Sequence, residues 1–333
     1  MDATKPYDDS PRTDGSVHRK NPRKRDLRFQ HICPEKLYLG TLGWRYANWR
    51  GIVYDDYCPE YMHWDSSLQA YADFPLVKAL RWLPTSNPQF LDSQWRTMRR
   101  ILPANLKLWV RAPGSVCDPC RRSRFGKKRG ENTHFLNASK ALLEWVGPAR
   151  QHFPNELAGV ILDVLNDQTP GYLAKEEQRK AFYEKLRLFL TSIQQNKHLS
   201  TRVFVSVRNR KVYTPTLMKI LYRTHCYPLV TIATHTPSLS SQLRALEYFF
   251  SLWNDSVEHI PIVFRWLNTL LPDLIRKQTI PHDPVTRATL IHRMKQKLAK
   301  GHEVTCLVHN AAEGNAALTL QNLAQLWMDA TAS

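Results

Sequence analysis

Eight short apolar segments, separated by amphipathic ones, set the strongest limit on how this chain of 333 residues can fold. Several are continuous runs of branched and aromatic residues, such as 160–162 and 203–205. Such runs are typical of parallel strands that have both faces covered. The predicted strands are 36–41, 76–80, 106–111, 158–164, 202–207, 229–234, 260–265 and 304–309.

Helical segments alternate with these strands. Leu186, Phe189 and Leu190 show the spacing of a helix that packs one face on a core. The predicted helices are about 60–72, 88–101, 132–152, 175–195, 214–224, 238–253, 284–299 and 316–329. Eight strand–helix pairs in about 300 residues are the number in a closed (β/α)₈ barrel. We therefore predict an α/β fold with a single TIM-type barrel over residues 31–333.

The charge is strongly basic and unevenly distributed, with a formal net value of +18. Residues 17–30 hold six Arg or Lys and one Asp, a net +5, and residues 114–130 have the same balance. Because residues 1–30 contain few apolar side chains, we predict a disordered basic arm there. Two basic runs favour a polyanionic partner. The predicted nucleic-acid clamp consists of Arg23, Lys24, Arg25, Arg121, Arg122, Lys127, Lys128 and Arg129.

The cellular setting follows from hydropathy and cysteine use. No apolar run approaches the roughly 18 residues that cross a bilayer, so we expect a soluble, cytoplasmic protein without a membrane partner. The six cysteines are scattered, as reduced thiols are in a cytoplasm. Cys117 and Cys120 form one C-x-x-C pair, but no second pair completes a zinc site. A loop with two thiols is the simpler interpretation.

An aromatic and basic segment, residues 40–54, follows the first predicted strand. Trp44, Trp49 and Arg50 follow within a few residues of Gly40 and Gly43, which allow the chain to turn sharply. Barrel sites are built from the loops at the carboxyl ends of the strands. We therefore predict that this segment forms the wall of a binding site, with plain core packing of the indoles as the alternative.

Three arginines fall at predicted strand ends, at Arg111, Arg208 and Arg265. Guanidinium groups bind phosphate and carboxylate with paired hydrogen bonds, so their convergence predicts an anion pocket. The alternative is a structural network in which Asp163 or Asp167 neutralises them. The predicted anion- or substrate-binding residues are Thr41, Trp44, Trp49, Arg50, Arg111, Arg208, Arg265 and Asn310.

Catalytic candidates are few. His235, His309 and Asp163 lie at predicted strand ends and could act as acid, base or metal ligand. The strand ends carry too few acids for a metal-dependent barrel nuclease, and no H-x-H or H-E-x-x-H spacing occurs. No G-x-S-x-G, phosphate-loop or G-x-G-x-x-G motif is present either. We predict neither metal nor cofactor, and the residues leave open whether the protein is an enzyme.

The pattern G-T-x-G-W-x-Y-x-x-W-[RK]-G in residues 40–51 resembles the opening of the YecE-like family, domain of unknown function 72. Segments 109–113, 205–209, 262–266 and 308–316 resemble later strands of that family and occur in its order. The resemblance covers about residues 37–328. It implies that the chain is a divergent member of the family and folds as a TIM-type barrel. No settled reaction is assigned to the family.

The departures from the family pattern concern acids. Relatives have an acid and an asparagine in the second strand, whereas residues 77–82 contain neither. Ser206 replaces the acid of the fifth strand, Asn209 replaces a histidine, and His235 stands where relatives tend to have aspartate. If those acids perform chemistry in relatives, this chain has lost or rearranged it, which favours binding over catalysis.

These observations predict a barrel that binds a phosphate-bearing polyanion, RNA or DNA, at a basic and tryptophan-lined mouth. One alternative is an enzyme that acts on a small phosphorylated or carboxylated substrate. The strand-end arginines would hold this small anionic ligand, and His235 or His309 would act as general acid or base. Another alternative is a non-catalytic subunit of a larger assembly that docks through the same basic surface.

Overall fold

The computed structural model describes residues 15–59, 62–84, 88–122, 128–164, 173–196, 201–234, 236–253, 260–267 and 282–332. Parallel strands form an inner sheet and helices cover its outer face. The strands are β1 Leu37–Thr41, β2 Ala79–Trp82, β3 Lys107–Arg111, β4 Cys120–Arg122, β5 Lys128–Glu131, β6 Leu157–Val164, β7 Val203–Val207, β8 Tyr227–Pro228, β9 Val230–Ile232, β10 Ile262–Trp266 and β11 Val304–Val308.

The main sheet closes on itself. Its strand order is β8-β7-β6-β3-β2-β1-β11-β10-β9, and all neighbouring strands are parallel. The two end strands, β8 and β9, are separated in the chain by Leu229 alone, and the Leu229 N–H donates to the Val205 carbonyl at 2.9 Å. They therefore form one interrupted strand that completes the ring. The predicted eight-stranded TIM-type barrel is confirmed.

Two apolar clusters match the alternation of side chains along the barrel strands. A small cluster, which includes Trp109, Phe204, Val263 and Leu307, fills the interior. A much larger cluster joins the opposite faces of the strands to the helices. Gly40 allows β1 and β2 to come together, because a Cβ at this position would lie 1.9 Å from the Ala79 carbonyl oxygen.

The helices follow the prediction closely. They are Lys24–Ile32, Trp64–Ala72, Pro88–Ile101, Gly114–Cys117, Ala138–Ala141, Gly147–His152, Glu176–Gln195, Pro215–Arg223, Leu239–Ser251, Pro284–Ala299 and Ala316–Ala332. A π-helical turn, Leu142–Val146, and a 3₁₀ turn, Ala47–Trp49, complete the described helical segments. Within the described ranges, no helix is both long and apolar enough to cross a membrane.

One predicted helix begins later than expected and one strand is shifted. The segment predicted as helix from residue 132 becomes helical only at Ala138. Asn132 instead fixes a turn, since its side-chain amide donates to the carbonyls of Ser115 and Asp118 at 2.8 and 2.7 Å. The second strand begins at Ala79, although the apolar residues that predicted it start at Leu76.

The prediction of a disordered arm is wrong for residues 15–30. The Lys20 N–H donates to the Val53 carbonyl at 2.8 Å, and the helix Lys24–Ile32 buries Phe29 and Asp26. The Gln321 side chain donates to Asp26 at 2.7 Å. Average composition missed this segment because a single apolar side chain and one buried carboxylate are enough to anchor its helix. Residues 1–14 of the predicted arm lie outside the described residues.

Candidate anion-binding site at the barrel mouth

Three arginines meet around one carboxylate at the carboxyl ends of the strands. Asp163 of β6 lies 3.3 Å from Nε of Arg111, the last residue of β3, and 3.4 Å from Nη2 of Arg208, which follows β7. Arg265 of β10 donates to both Asp163 oxygens, at 3.1 and 3.0 Å. The three arginines therefore converge at one place, as predicted. Asp163, the carboxylate of the alternative structural network, lies among them. Asp167 lies outside the described residues.

Arg265 and Asp163 form the buried base of this cluster. Each is 1% exposed. The Arg265 guanidinium also donates to the hydroxyls of Ser206 and Thr231, at 2.7 and 3.1 Å. Burial alone would raise the pKa of Asp163, but Arg265, Arg208 and Arg111 outweigh it and hold that pKa well below its usual range. Asp163 is thus a fixed negative charge at neutral pH.

Arg81 of β2 is a fourth cation at this end of the barrel. It lines a cavity of about 400 Å³. Among the described residues no carboxylate forms an ion pair with it, and its buried Nε atom has no hydrogen-bond partner there. Burial, Arg111 and Arg265 lower the pKa of Arg81 to about 9, so that it stays cationic at neutral pH. Arg81 was not among the predicted binding residues, since the second strand was predicted to end at residue 80.

Aromatic side chains form the other walls of the Arg81 cavity. Trp44, Trp64 and Trp82 line it together with Tyr46. The Trp44 and Trp64 rings pack edge to face at 5.1 Å, and the Trp64 and Trp82 rings lie 6.5 Å apart. Trp44, which was predicted to lie in the wall of a binding site, lines this cavity, and its role in binding stays a prediction. Trp64 and Trp82 were not among the predicted wall residues, because they lie in the helix Trp64–Ala72 and in β2, outside the aromatic segment 40–54.

Trp49 differs from the prediction. It is fully buried, with its ring stacked on Tyr54 and Tyr71 at centroid distances of 6.2 and 6.1 Å. Its indole N–H donates to the Asn310 side-chain oxygen at 2.7 Å. The 3₁₀ turn Ala47–Trp49 directs this indole into the core, so the structure corrects its predicted place in the binding wall.

Three other predicted binding residues have structural partners. The Thr41 hydroxyl donates to the Gly43 carbonyl at 2.6 Å. The Asn310 side-chain oxygen also accepts from the Ala316 N–H, at 2.9 Å, at the start of the last helix. Arg50 is exposed and donates to the Cys58 carbonyl. A role of these residues in binding stays a prediction.

The three catalytic candidates differ in their surroundings. Asp163 is held by arginines and keeps its charge, and His235 lies outside the described residues. Burial, together with Arg81, Arg208 and Arg265, lowers the pKa of His309 to about 4. His309 is therefore neutral at pH 7, and its Nδ1 accepts from the Ala311 N–H at 3.2 Å. With so low a pKa it is a weak base at this mouth.

Cys117 and Cys120 are both free thiols. Burial raises the pKa of Cys117 to about 12, so this thiol is not a ready nucleophile. Within the part of the chain that the structure describes, no three His, Cys, Asp or Glu residues are grouped as metal ligands would be.

The residues of the predicted clamp fall into two groups. Arg121, Arg122, Lys128 and Arg129 belong to the antiparallel hairpin of β4 and β5, which follows the carboxyl end of β3. Arg121 Nε donates to the Glu131 carbonyl at 3.2 Å, and Lys127 lies outside the described residues. The other group, Arg23, Lys24 and Arg25, lies at the start of the helix Lys24–Ile32.

Comparison with known proteins bears on the fold. Neither a protein-family model nor a curated protein sequence matches the chain. A DUF72 family protein from Thermotoga maritima has a similar structure, with a TM-score of 0.56, 15% sequence identity and coverage of 88% of this chain and 99% of that one. The chain has the DUF72 fold. A DUF72 family protein from Enterococcus faecalis gives a TM-score of 0.52 at 11% identity, over 88% and 97% of the two chains.

This likeness agrees with the resemblance that the motifs of residues 40–51 and the later strands indicated. The family resemblance is thus supported by an independent comparison of structures. At identities this low the likeness concerns the fold, and the function must be argued from the residues at the mouth.

Proposed function

We propose that the barrel mouth binds a phosphate-bearing polyanion, RNA or DNA, and that one nucleotide enters the Arg81 cavity. The observation that carries this proposal is the position of Arg81. It is a cation without a carboxylate partner among the described residues, in a cavity walled by Trp44, Trp64 and Trp82. A phosphate supplies the missing anion, and a base or sugar packs against the indoles.

The charge balance supports an anionic ligand. Arg81, Arg111, Arg208 and Arg265 with Asp163 carry four positive charges and one negative charge. Like charges held together at low dielectric repel each other strongly. Asp163 satisfies Arg265 first, with two hydrogen bonds, so Arg81 gains the most from an added phosphate.

The size of the cavity fits one unit of a chain. About 400 Å³ lies at the lower end of the range for small-ligand pockets. The basic hairpin of β4 and β5 follows β3 at the same end of the barrel, where it is suited to hold the phosphates of neighbouring nucleotides. Binding would then combine one specific subsite with a salt-sensitive electrostatic contact.

The test is a salt titration of binding to single-stranded and duplex oligonucleotides by fluorescence anisotropy. Arg81→Gln should weaken binding about tenfold or more, as loss of a charge-assisted hydrogen bond does. The hairpin variant Arg121→Gln/Lys128→Gln/Arg129→Gln should reduce the slope of log K against log salt by roughly 0.9 for each lost duplex phosphate contact.

The matched control is Arg223→Gln, an exposed arginine in the last turn of the helix Pro215–Arg223, at the opposite end of the barrel. It removes the same charge and should leave the affinity nearly unchanged. Absence of binding at low salt, or equal effects of Arg81→Gln and Arg223→Gln, would contradict the proposal.

A second candidate is an enzyme that acts on a small phosphorylated or carboxylated substrate. His309 at the mouth is the observation behind it, because its ring is unprotonated at pH 7, although a pKa of about 4 makes it a weak base. Mass spectrometry of small molecules that co-purify with the protein separates the two candidates. If neither nucleic acid nor a small anion is found, docking to a larger assembly becomes the leading hypothesis.

A further inference from the structure

A second cavity, of about 900 Å³, lies outside the barrel mouth. It opens between the helices Pro215–Arg223 and Leu239–Ser251, beside the carboxyl end of β9. This volume is within the range of pockets that hold small organic ligands. None of the residues that line it was singled out in the sequence.

The inner wall of this cavity is apolar. Met218 is fully buried, and Ile232 and Ala245 add aliphatic surface from β9 and from the helix Leu239–Ser251. Tyr213 and Tyr248 line the same space with aromatic rings. An apolar or aromatic group is therefore the part of a ligand that this wall accommodates.

Two arginines lie at the rim. Arg210 Nε donates to the Thr236 carbonyl at 3.0 Å, and Arg244 Nη2 donates to the Ser241 hydroxyl at 3.3 Å. Both guanidiniums are thus oriented by neutral acceptors, and no carboxylate of the described residues forms an ion pair with either. An anionic group would complete the rim.

Two further features favour an anionic, polar end. The helix N-caps Thr214 and Ser238 both line the cavity, so the positive ends of two helix dipoles face this region. The Tyr213 hydroxyl is buried and has no hydrogen-bond partner among the described residues. Buried hydroxyl groups are normally satisfied, and a polar atom of a ligand would satisfy this one.

We propose that this cavity, beside the barrel mouth, binds a small amphipathic anion: a flat apolar group that lies on Ile232 and Ala245 and carries one phosphate or carboxylate bound by Arg210 and Arg244. This site shares no residue with the Arg81 cavity, so the proposal does not depend on nucleic-acid binding at the mouth.

The test is isothermal titration calorimetry of the full chain with four probes. These are 2-naphthyl phosphate, 2-naphthoate, 2-naphthol and inorganic phosphate. One equivalent of 2-naphthyl phosphate or 2-naphthoate should bind about tenfold or more tightly than 2-naphthol, which lacks the charge, and inorganic phosphate, which lacks the ring. The tighter of the two anions identifies whether phosphate or carboxylate is preferred.

Variants locate the bound probe. Ala245→Trp fills the cavity and should abolish binding, and Arg244→Gln should reduce the affinity of the anionic probe to about that of 2-naphthol. Thermal melts establish that each variant is folded, and Tyr248→Ala replaces Ala245→Trp if the latter unfolds. Arg223→Gln is the matched charge control and should bind as the wild type does.

The mouth variant Arg81→Gln distinguishes the two sites. The proposal is overturned if the anionic probes do not bind, if the cavity-filling variant and Arg244→Gln both bind them as the wild type does, or if Arg81→Gln removes the binding. The last outcome would place the probe at the mouth and would leave the proposed function standing.

Discussion

Replacement of Asp163 by asparagine tests the charge balance at the mouth most directly. Asp163 is the acceptor for Arg265 at 3.1 and 3.0 Å and lies within 3.4 Å of Arg111 and Arg208. Asp163→Asn keeps the shape but removes the charge that, among the described residues, offsets Arg265 in the buried base of the cluster. Breaking a buried pair in this way costs about 3–5 kcal/mol.

The expected change in melting temperature follows from the chain length. An unfolding entropy of about 2.1 cal/mol/K per residue amounts to roughly 0.7 kcal/mol/K for this chain, so a loss of about 3–5 kcal/mol lowers the melting temperature by about 4–7 °C. Differential scanning fluorimetry measures it. The control is Asp92→Asn, because Asp92 is exposed and, within the described part of the chain, pairs with the exposed Arg96 and more distantly with His152. Exposed pairs contribute about 0–1 kcal/mol.

Two further measurements test the reasoning. The folded-state pKa of Asp163 is lowered, so its stabilisation is fully present above the unfolded pKa of about 3.9 and is lost as pH falls below it. The difference between wild type and Asp163→Asn should therefore shrink in that acid range. Sulfate at constant ionic strength should raise the melting temperature of the variant more than that of the wild type. A melting temperature within 1 °C of that of wild type would refute the argument.

Three other predictions concern single residues. Gly40→Ala should destabilise the fold by about 3 kcal/mol or more in urea titration, because its Cβ would overlap the Ala79 carbonyl oxygen at 1.9 Å. Trp49→Phe should cost about 2 kcal/mol by the same assay, since it leaves the Asn310 side-chain oxygen without the indole donor. An NMR titration should give His309 a pKa near 4, and His309→Gln should remove a loss of stability that occurs as pH falls from about 6.5 to about 4.

The barrel could be predicted because its signal is local. Buried parallel strands such as β6 and β7 are continuous apolar runs, and their lengths and spacing are readable without knowledge of their neighbours. β2 was misplaced because its register depends on pairing with β1 and β3, which places Arg81 within the strand and Leu76 before it. Pairing partners cannot be read from a single segment.

The site was predictable only in part, for a related reason. Strand ends indicate which side chains lie at the mouth, and Arg111 and Arg265 were found in this way. Strand ends do not indicate whether an aromatic ring in the following loop points into the core or into the cavity. Trp49 lies in the core because a 3₁₀ turn directs its ring inward. Trp64, in the helix after the first loop, lines the Arg81 cavity.

The charges of the residues at the mouth limit the reactions that it could catalyse. Hydrolysis by paired carboxylates needs two acids whose pKa values are separated by their environments. At this mouth the described residues offer Asp163, whose lowered pKa prevents it from donating a proton, and Ser206 stands nearby as a hydroxyl that accepts from Arg265. His309 can accept a proton but is surrounded by guanidiniums that oppose its protonation. These charges suit an anion far better than they suit proton transfer, which is why binding is the function that we propose.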